Sequence, residues 1–321
     1  MKKLFLLLAA GLAAVKPAIA SAHVKWFVDT ESTIEQFHTT TKFYEWNSPA
    51  VLAWCAIAIL IICIFHWIDT ITPLPKKLLA FGQKNSRTIH RIAEIILGLF
   101  LVTVSFVWKV VLVPNIHVEN NFTSVLMLLQ ALIGAMFIFN IWPRVAAVGL
   151  LIFCAGLGIH EGLVAVLENA ILISLALYFY VRHSPKGSTV EKKWGTRSLD
   201  VLRIGTGISL IVLAFTEKLM YPELSLQFLS LHHWNFMYPM FPWFTDNLFV
   251  LSTGFAELIF GVLFIFGYVT RVTTILIALF FATSVTTMLV QTGAWEVEDL
   301  VVYSAAILFI FLSEGKTLFK K

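Results

Sequence analysis

Glu257 stands near the middle of the apolar run Leu248–Gly267. A carboxylate at that depth in a bilayer is costly to hold and marks a functional site by default. A carboxyl group there suits a proton relay or a hydrogen bond to a quinone carbonyl. It equally suits a tie between helices, to a hydroxyl such as Thr253 or to a polar group elsewhere in the bundle. Gly254 and Gly261 lie on nearly the same helical face and let another helix come close. Gln130 occupies the related place in an earlier apolar run, and His160-Glu161 and Glu168 follow it. Arg203 opens a further run that closes on Glu217-Lys218. At the outer interface the Lys218 amine would snorkel to the headgroups, bind an anionic headgroup or pair with a carboxylate.

Histidines offer a second chemistry. His23, His38, His117, His160, His232 and His233 fall on one side of the expected membrane. Imidazole suits copper, zinc and iron. If the chain is cut after Ala22, the α-amine and imidazole of His23 would chelate a copper ion, with His38 as a further ligand. The other reading is a polar tail whose histidine is incidental. No His-x-His or i, i+4 histidine pair supports a metal site more strongly. The three cysteines, Cys55, Cys63 and Cys154, sit inside apolar runs without a C-x-x-C, as small hydrophobes do. Motifs for ATP, nicotinamide or covalent haem are missing from the sequence.

Composition says what must position these groups. Hydrophobic residues make up 59% and charged residues 13%, far from the balance of a soluble domain. The net charge of +4 reflects basic loops and does not point to nucleic acid. We expect an all-α, polytopic membrane bundle with about nine transmembrane helices. Residues 1–22 read as a cleavable signal peptide, with basic Lys2-Lys3, an apolar stretch from Leu4 to Val15, and Ala20-Ser21-Ala22 as the cleavage site; an uncleaved anchor is the alternative. An extracytoplasmic segment, 23–48, precedes an unpaired helix, 49–68. Eight more spans follow: Ile92–Val111, Phe122–Ile141, Val145–Ile159 continuing through Gly162 to Val164, Val166–Val181, Leu199–Leu219, Leu248–Gly267, Val272–Val290 and Leu300–Leu312. Lys76, Lys77, Lys84, Arg87, Arg91, Arg144, Arg182, Lys186, Lys192, Lys193, Arg197, Arg203, Arg271, Lys316, Lys320 and Lys321 gather on one side. Only Lys25, Lys42, Lys109 and Lys218 face the other. The positive-inside rule then places the mature N-terminus outside and the C-terminus in the cytoplasm of a bacterial inner membrane. The loop Met220 to Asn247, rich in aromatics and free of Lys and Arg, reads as an interfacial belt or as the roof of a lateral opening.

The spans also repeat. Ile138-Phe139-Asn140-Ile141-Trp142-Pro143-Arg144 is answered by Ile265-Phe266-Gly267-Tyr268-Val269-Thr270-Arg271. In the same register Gly134 meets Gly261 and Gln130 meets Glu257. Gly98, Phe106 and Lys109 meet Gly207, Phe215 and Lys218, and Glu168-Asn169 meets Glu298-Asp299. Matches at glycines and charges inside apolar helices are hard to obtain by chance. They imply a four-helix unit duplicated in tandem, 69–183 and 199–315, joined by a cytoplasmic linker at 184–198 and followed by a basic tail at 316–321. A duplication in the same sense, with no broken helices expected, argues against an inverted-repeat permease.

Arg203-Ile204-Gly205 through Glu217-Lys218-Leu219, Gly254-Phe255-Ala256-Glu257-Leu258 with Gly261, and Tyr268-Val269-Thr270-Arg271 together resemble the DoxX family of bacterial membrane proteins. The resemblance covers about residues 203–312, and the first unit is a fainter copy. It implies a four-helix unit and an accessory role in quinol oxidases, thiosulfate:quinone oxidoreductases or thiol-redox membrane complexes. The family often carries a histidine near the end of its third helix; here the second unit has Thr286-Thr287-Met288, and His160-Glu161 stands in the first. A site shared between the units, or decay of one copy, would account for that division. The leading expectation is therefore an accessory subunit of a quinone-linked redox system in the lipid bilayer, partnered by membrane or periplasmic redox proteins. Copper handling through His23 is the alternative, and a small-solute permease the third reading.

Overall fold

The computed structural model describes residues 45–71, 76–292 and 299–313. The expected signal peptide, His23, His38, Glu298 and the basic tail lie outside them. The chain forms a helical membrane bundle. In order its elements are α1 (Pro49–Ile71), α2 (Lys76–Lys84), α3 (Ser86–Thr103) with a π-turn (Val104–Trp108), α4 (Asn121–Phe139), α5 (Pro143–Glu161), α6 (Leu163–Glu168), α7 (Ala170–Arg182), α8 (Thr189–Trp194), α9 (Ser198–Ala214) with a π-turn (Phe215–Leu219), α10 (Pro222–His232), α11 (Asp246–Phe266), α12 (Thr270–Thr292) and α13 (Asp299–Leu312). A small antiparallel hairpin, β1 (Val110–Val111) and β2 (Val113–His117), interrupts the helices after α3.

Six helices among the described residues are long and apolar enough to cross a membrane: Pro49–Ile71, Ser86–Trp108, Asn121–Phe139, Pro143–Glu161, Ser198–Leu219 and Asp246–Phe266. Two more apolar helices, Ala170–Arg182 and Asp299–Leu312, are shorter, as is the apolar stretch Thr270–Thr283 of α12. At about 1.5 Å per residue, α7 reaches only about 20 Å of a core about 30 Å thick. The physical reason is a break. The helix expected to run on through Gly162 to Val164 ends at Glu161, because Gly162 takes φ +88°, a conformation costly for residues with a side chain. The span expected over Val166–Val181 is broken again at Asn169. The expectation of unbroken helices is thus wrong here.

Two sets of contacts match. Gly98 packs on Gly134 so closely that a Cβ on Gly98 would stand 2.6 Å from the Gly134 carbonyl oxygen; a Cβ on Gly207 would stand 2.6 Å from that of Gly261. Small residues at crossings let backbones pack by dispersion where lipid offers no hydrophobic drive. Arg91 donates to the Phe137 and Ile138 carbonyls at the end of α4, and Arg203 to the Phe264 and Ile265 carbonyls at the end of α11. These guanidinium groups satisfy the orphaned carbonyls of each helix end. The turns that follow share their left-handed residues, Asn140 and Trp142 in one and Gly267 and Val269 in the other. Ser174 of α7 donates to Ile171 O of its own helix at 2.9 Å and approaches Leu202 O of α9 at 3.4 Å, while Ser304 of α13 donates to Ala93 O of α3 at 2.8 Å. Rings pair likewise: Phe137 with Phe179 at 5.6 Å, Phe264 with Phe309 at 5.4 Å.

The unpaired helix α1 leans on α11. Trp54 stacks with Phe255, and Asp69 Oδ1 accepts from Val269 N at 3.0 Å. That bond fixes the turn in which Val269 holds φ +43°, rare for a β-branched residue.

Candidate functional site

The last turn of α9 carries a buried ion-pair cluster. Lys218 Nζ donates to Glu217 Oε2 at 3.2 Å and lies 3.0 Å from Glu257 Oε1 of α11. Glu217 is 0%, Lys218 7% and Glu257 5% exposed. Each element contributes for a local reason. Gly254, one turn before Glu257, has no side chain, and a Cβ there would meet Lys218 Cβ at 3.0 Å. This lets α9 and α11 approach closely enough for the amine to reach the carboxylate. The π-turn shifts the end of α9 out of α-helical register, a feature frequent at functional sites. Above it α10 closes the end: Ser225 Oγ donates to the Glu217 backbone carbonyl at 3.0 Å.

This corrects the interfacial placing of Lys218. The amine does not snorkel to headgroups; α10 covers it, and it pairs with carboxylates, as the remaining alternative had it. Thr253 is not the partner of Glu257, since its hydroxyl donates back to Phe249 O and Val250 O. The aromatic loop is also more than a belt. Phe228, Trp234 and Phe249 form a buried cluster, with Trp234 edge-on to both Phe228 and Phe249, while Tyr238, Phe241 and Trp243 stay exposed. At the start of this roof, burial and then the Glu223 carboxylate push the Tyr221 phenol above its ordinary range.

Glu217 and Glu257 line a cavity of about 100 Å³. Glu168 and Asn169 reach it from the break between α6 and α7, and Asp299 from the start of α13. Thr206 and Ser209 of α9 complete its polar wall, and Phe100, Leu112 and Phe281 are among its apolar residues. Ser209 Oγ accepts from Ile171 N at 2.9 Å, one of the amides freed where α7 starts. Irregular backbone at membrane depth is tolerated where it lines a cavity or is buried in protein, and this break does both. The cavity is several-fold smaller than the roughly 300–1,000 Å³ that encloses an organic ligand. It has room for a few waters, each filling about 30 Å³ in the liquid.

Of the residues singled out from the sequence, Glu257, Lys218 and Glu168 are thus brought to one place. Gln130 is not: it braces the hairpin, its Oε1 accepting from Leu112 N at 2.8 Å and its amide donating to Ser105 Oγ at 3.0 Å. Arg203 sits at the opposite end of α9, on the Phe264 and Ile265 carbonyls and 3.1 Å from Asp200. His160 is exposed and pairs with Glu161 at 2.7 Å. Thr206 and Ser209 went unnoticed in the sequence, while Glu217 was named only as the end of its run and Asp299 only as a repeat match, neither as a site residue. The pairing of Glu168-Asn169 with Glu298-Asp299 was the signal for Asp299; hydroxyls inside apolar helices gave none. No group of three or more His, Cys, Asp or Glu is placed to hold a metal among the described residues, and the proposed copper ligands His23 and His38 lie outside them. No family model, curated protein or solved structure matches the chain.

Proposed function

We propose that this chain is a multi-pass inner-membrane protein of DoxX-like design, a tandem duplication of a four-helix unit. It serves a quinone-linked redox assembly as the subunit that exchanges protons. The duplication is supported by the matched glycine crossings, arginine caps, turns and serine bonds described above. It is also supported by a reciprocal arrangement in which α7 packs on α9 and α13 on α3. The basic loops orient it with the linker in the cytoplasm.

One observation carries the functional reading: among the described residues, carboxylates from α6, the end of α9, α11 and α13 converge on one cavity beside the buried amine of Lys218. Buried ion pairs contribute little net stability, because desolvation offsets their attraction. A merely cohesive bundle gains nothing from such a cluster. Reduction of a quinone takes up protons together with electrons. The cluster holds and passes those protons, the waters of the cavity bridge its members, and the electrons come from a partner oxidoreductase. At its present size the cavity serves a quinone headgroup docked at its mouth and does not enclose one.

The test is Glu257→Gln in cells carrying only the variant. Gln keeps the shape and a hydrogen bond. We expect normal accumulation of the protein and a fall of about a hundredfold in quinone reduction by the membranes, the lower range for a lost general acid or base. Unchanged turnover at normal protein level sinks the reading. A second reading, passage of a small solute, is favoured by the broken helix at Gly162 and Asn169. Solute flux in vesicles that survives Glu257→Gln would favour it.

A further inference from the structure

We infer that Glu94, His183, His90 and Tyr178 form a proton port joining the acidic cavity to water at the basic end of the bundle. The inference rests on the proton-exchange reading of the cavity. His183 Nε2 lies 2.5 Å from Glu94 Oε1, and Arg91 Nη1 is 3.1 Å from Glu94 Oε2. One turn away, His90 Nε2 lies 2.6 Å from the Tyr178 hydroxyl. The Glu94 side chain is 2% exposed and that of His183 27%. The pair therefore runs from a dry carboxyl to an imidazole that water reaches. Imidazole changes protonation near neutral pH and shuttles protons readily.

The other half of the molecule shows that Glu94 is not there for packing. Where α3 has Arg91 followed by Glu94, α9 has Asp200 followed by Arg203, and both pairs close at 3.1 Å. Both arginines cap the matching carbonyls of α4 and α11. The cap works with the acid on the outer position, as at Asp200, whose side chain is 41% exposed. In α3 the order is reversed, which moves the carboxylate inward by three residues, about 4.5 Å. Only this inward acid meets a histidine.

The same two helices line the cavity further in, through Phe100 of α3 and Leu172 of α7. Six residues separate Phe100 from Glu94 and Leu172 from Tyr178, about 9 Å of helix in each case. Hydroxyls lie along this stretch, each donating to a backbone carbonyl: Ser304 to Ala93 O beside Glu94, Ser174 to Ile171 O, and Thr206, which also lines the cavity, to Leu202 O. Of the other charged groups at this end, Arg87 and Arg182 are exposed on the same two helices, Arg144 lies over the Tyr180 ring at 4.5 Å, and Asp200 and Arg203 pair with each other.

The full-length protein is reconstituted in phosphatidylethanolamine–phosphatidylglycerol vesicles, captured in one orientation by a tag at the basic end. Lumenal pH is held and external pH stepped. Dicyclohexylcarbodiimide, which crosses membranes and traps protonated carboxyls, reports on Glu217 and Glu257 through mass spectrometry of their peptides. We expect labelling to follow the external pH. That dependence should be lost in Glu94→Gln and in His183→Phe, and kept in Glu94→Asp. Labelling that follows lumenal pH, or a Glu94→Gln protein that still follows external pH, overturns the port while leaving the cavity reading intact. Failure to label either carboxyl at any pH on either side overturns both.

Discussion

At the scale of single residues the decisive feature is that Lys218 faces Glu217 and Glu257 together. Lys218→Met would leave those carboxylates adjacent in a buried site without the Lys218 amine. Breaking a buried pair in this way costs about 3–5 kcal/mol, whereas replacing both partners by apolar groups is often near neutral. We therefore expect Lys218→Met to lower the melting temperature in detergent sharply. Adding Glu257→Leu should recover only part of the loss, since the Glu217 carboxylate stays buried without the amine, and a double-mutant cycle measures the coupling. Gln130 behaves differently although it stands in the register of Glu257. Its amide donates to Ser105 Oγ and its carbonyl accepts from Leu112 N. Gln130→Glu removes the donor and should cost about 1–3 kcal/mol through the groups left unsatisfied, read as a lowered melting point without gain of activity. An unchanged melting point would show that the hairpin does not depend on that brace.

At the scale of elements, the crossings at Gly134 and Gly261 set how close α4 comes to α3 and α11 to α9. A Cβ on Gly261 would stand 2.8 Å from Gly207 O. Gly261→Val should therefore cost about 1–3 kcal/mol by overpacking, and because Gly254, on the same helix, sets the reach of Lys218 to Glu257, quinone reduction should fall with it. Retained stability and turnover would mean that the crossing is looser than drawn. These glycines were legible because period and spacing survive in the sequence. So was the depth of Glu257, a carboxylate in the middle of an apolar run. Its partner was misplaced because Lys218 closes a hydrophobic run and a span end reads as an interface. The π-turn and the α10 roof that bury it leave only weak traces, a loop without Lys or Arg and a Pro222 helix start. The break at Gly162 was missed for a similar reason: an isolated glycine in an apolar helix is commonplace, and only its φ of +88° tells it from Gly156. Glu94 was hidden by its neighbour Arg91, since an i, i+3 pair near a helix start reads as a solvated face.

At the scale of the whole molecule, the proposed proton exchange is asymmetric although many contacts of the two halves match. The reciprocal contacts of α7 with α9 and of α13 with α3 hold the halves as one body, and neither half alone encloses the cavity, which takes Glu168 from one and Glu257 from the other. Polar groups then divide by end. The cavity lies towards α10, and the Glu94–His183 pair lies at the end of the basic loops. A protein that moves protons between those ends must have one orientation, so sidedness is the global property most worth measuring. In a chain with Cys55, Cys63 and Cys154 replaced by alanine, Ser230→Cys on α10 and Lys186→Cys in the linker place single thiols at exposed positions on opposite ends. An impermeant maleimide should label Ser230→Cys in intact spheroplasts, and Lys186→Cys only after lysis. The reverse pattern would invert the molecule. The Glu94–His183 port would then open to the outside, and the excess of Lys and Arg would no longer report the cytoplasmic face.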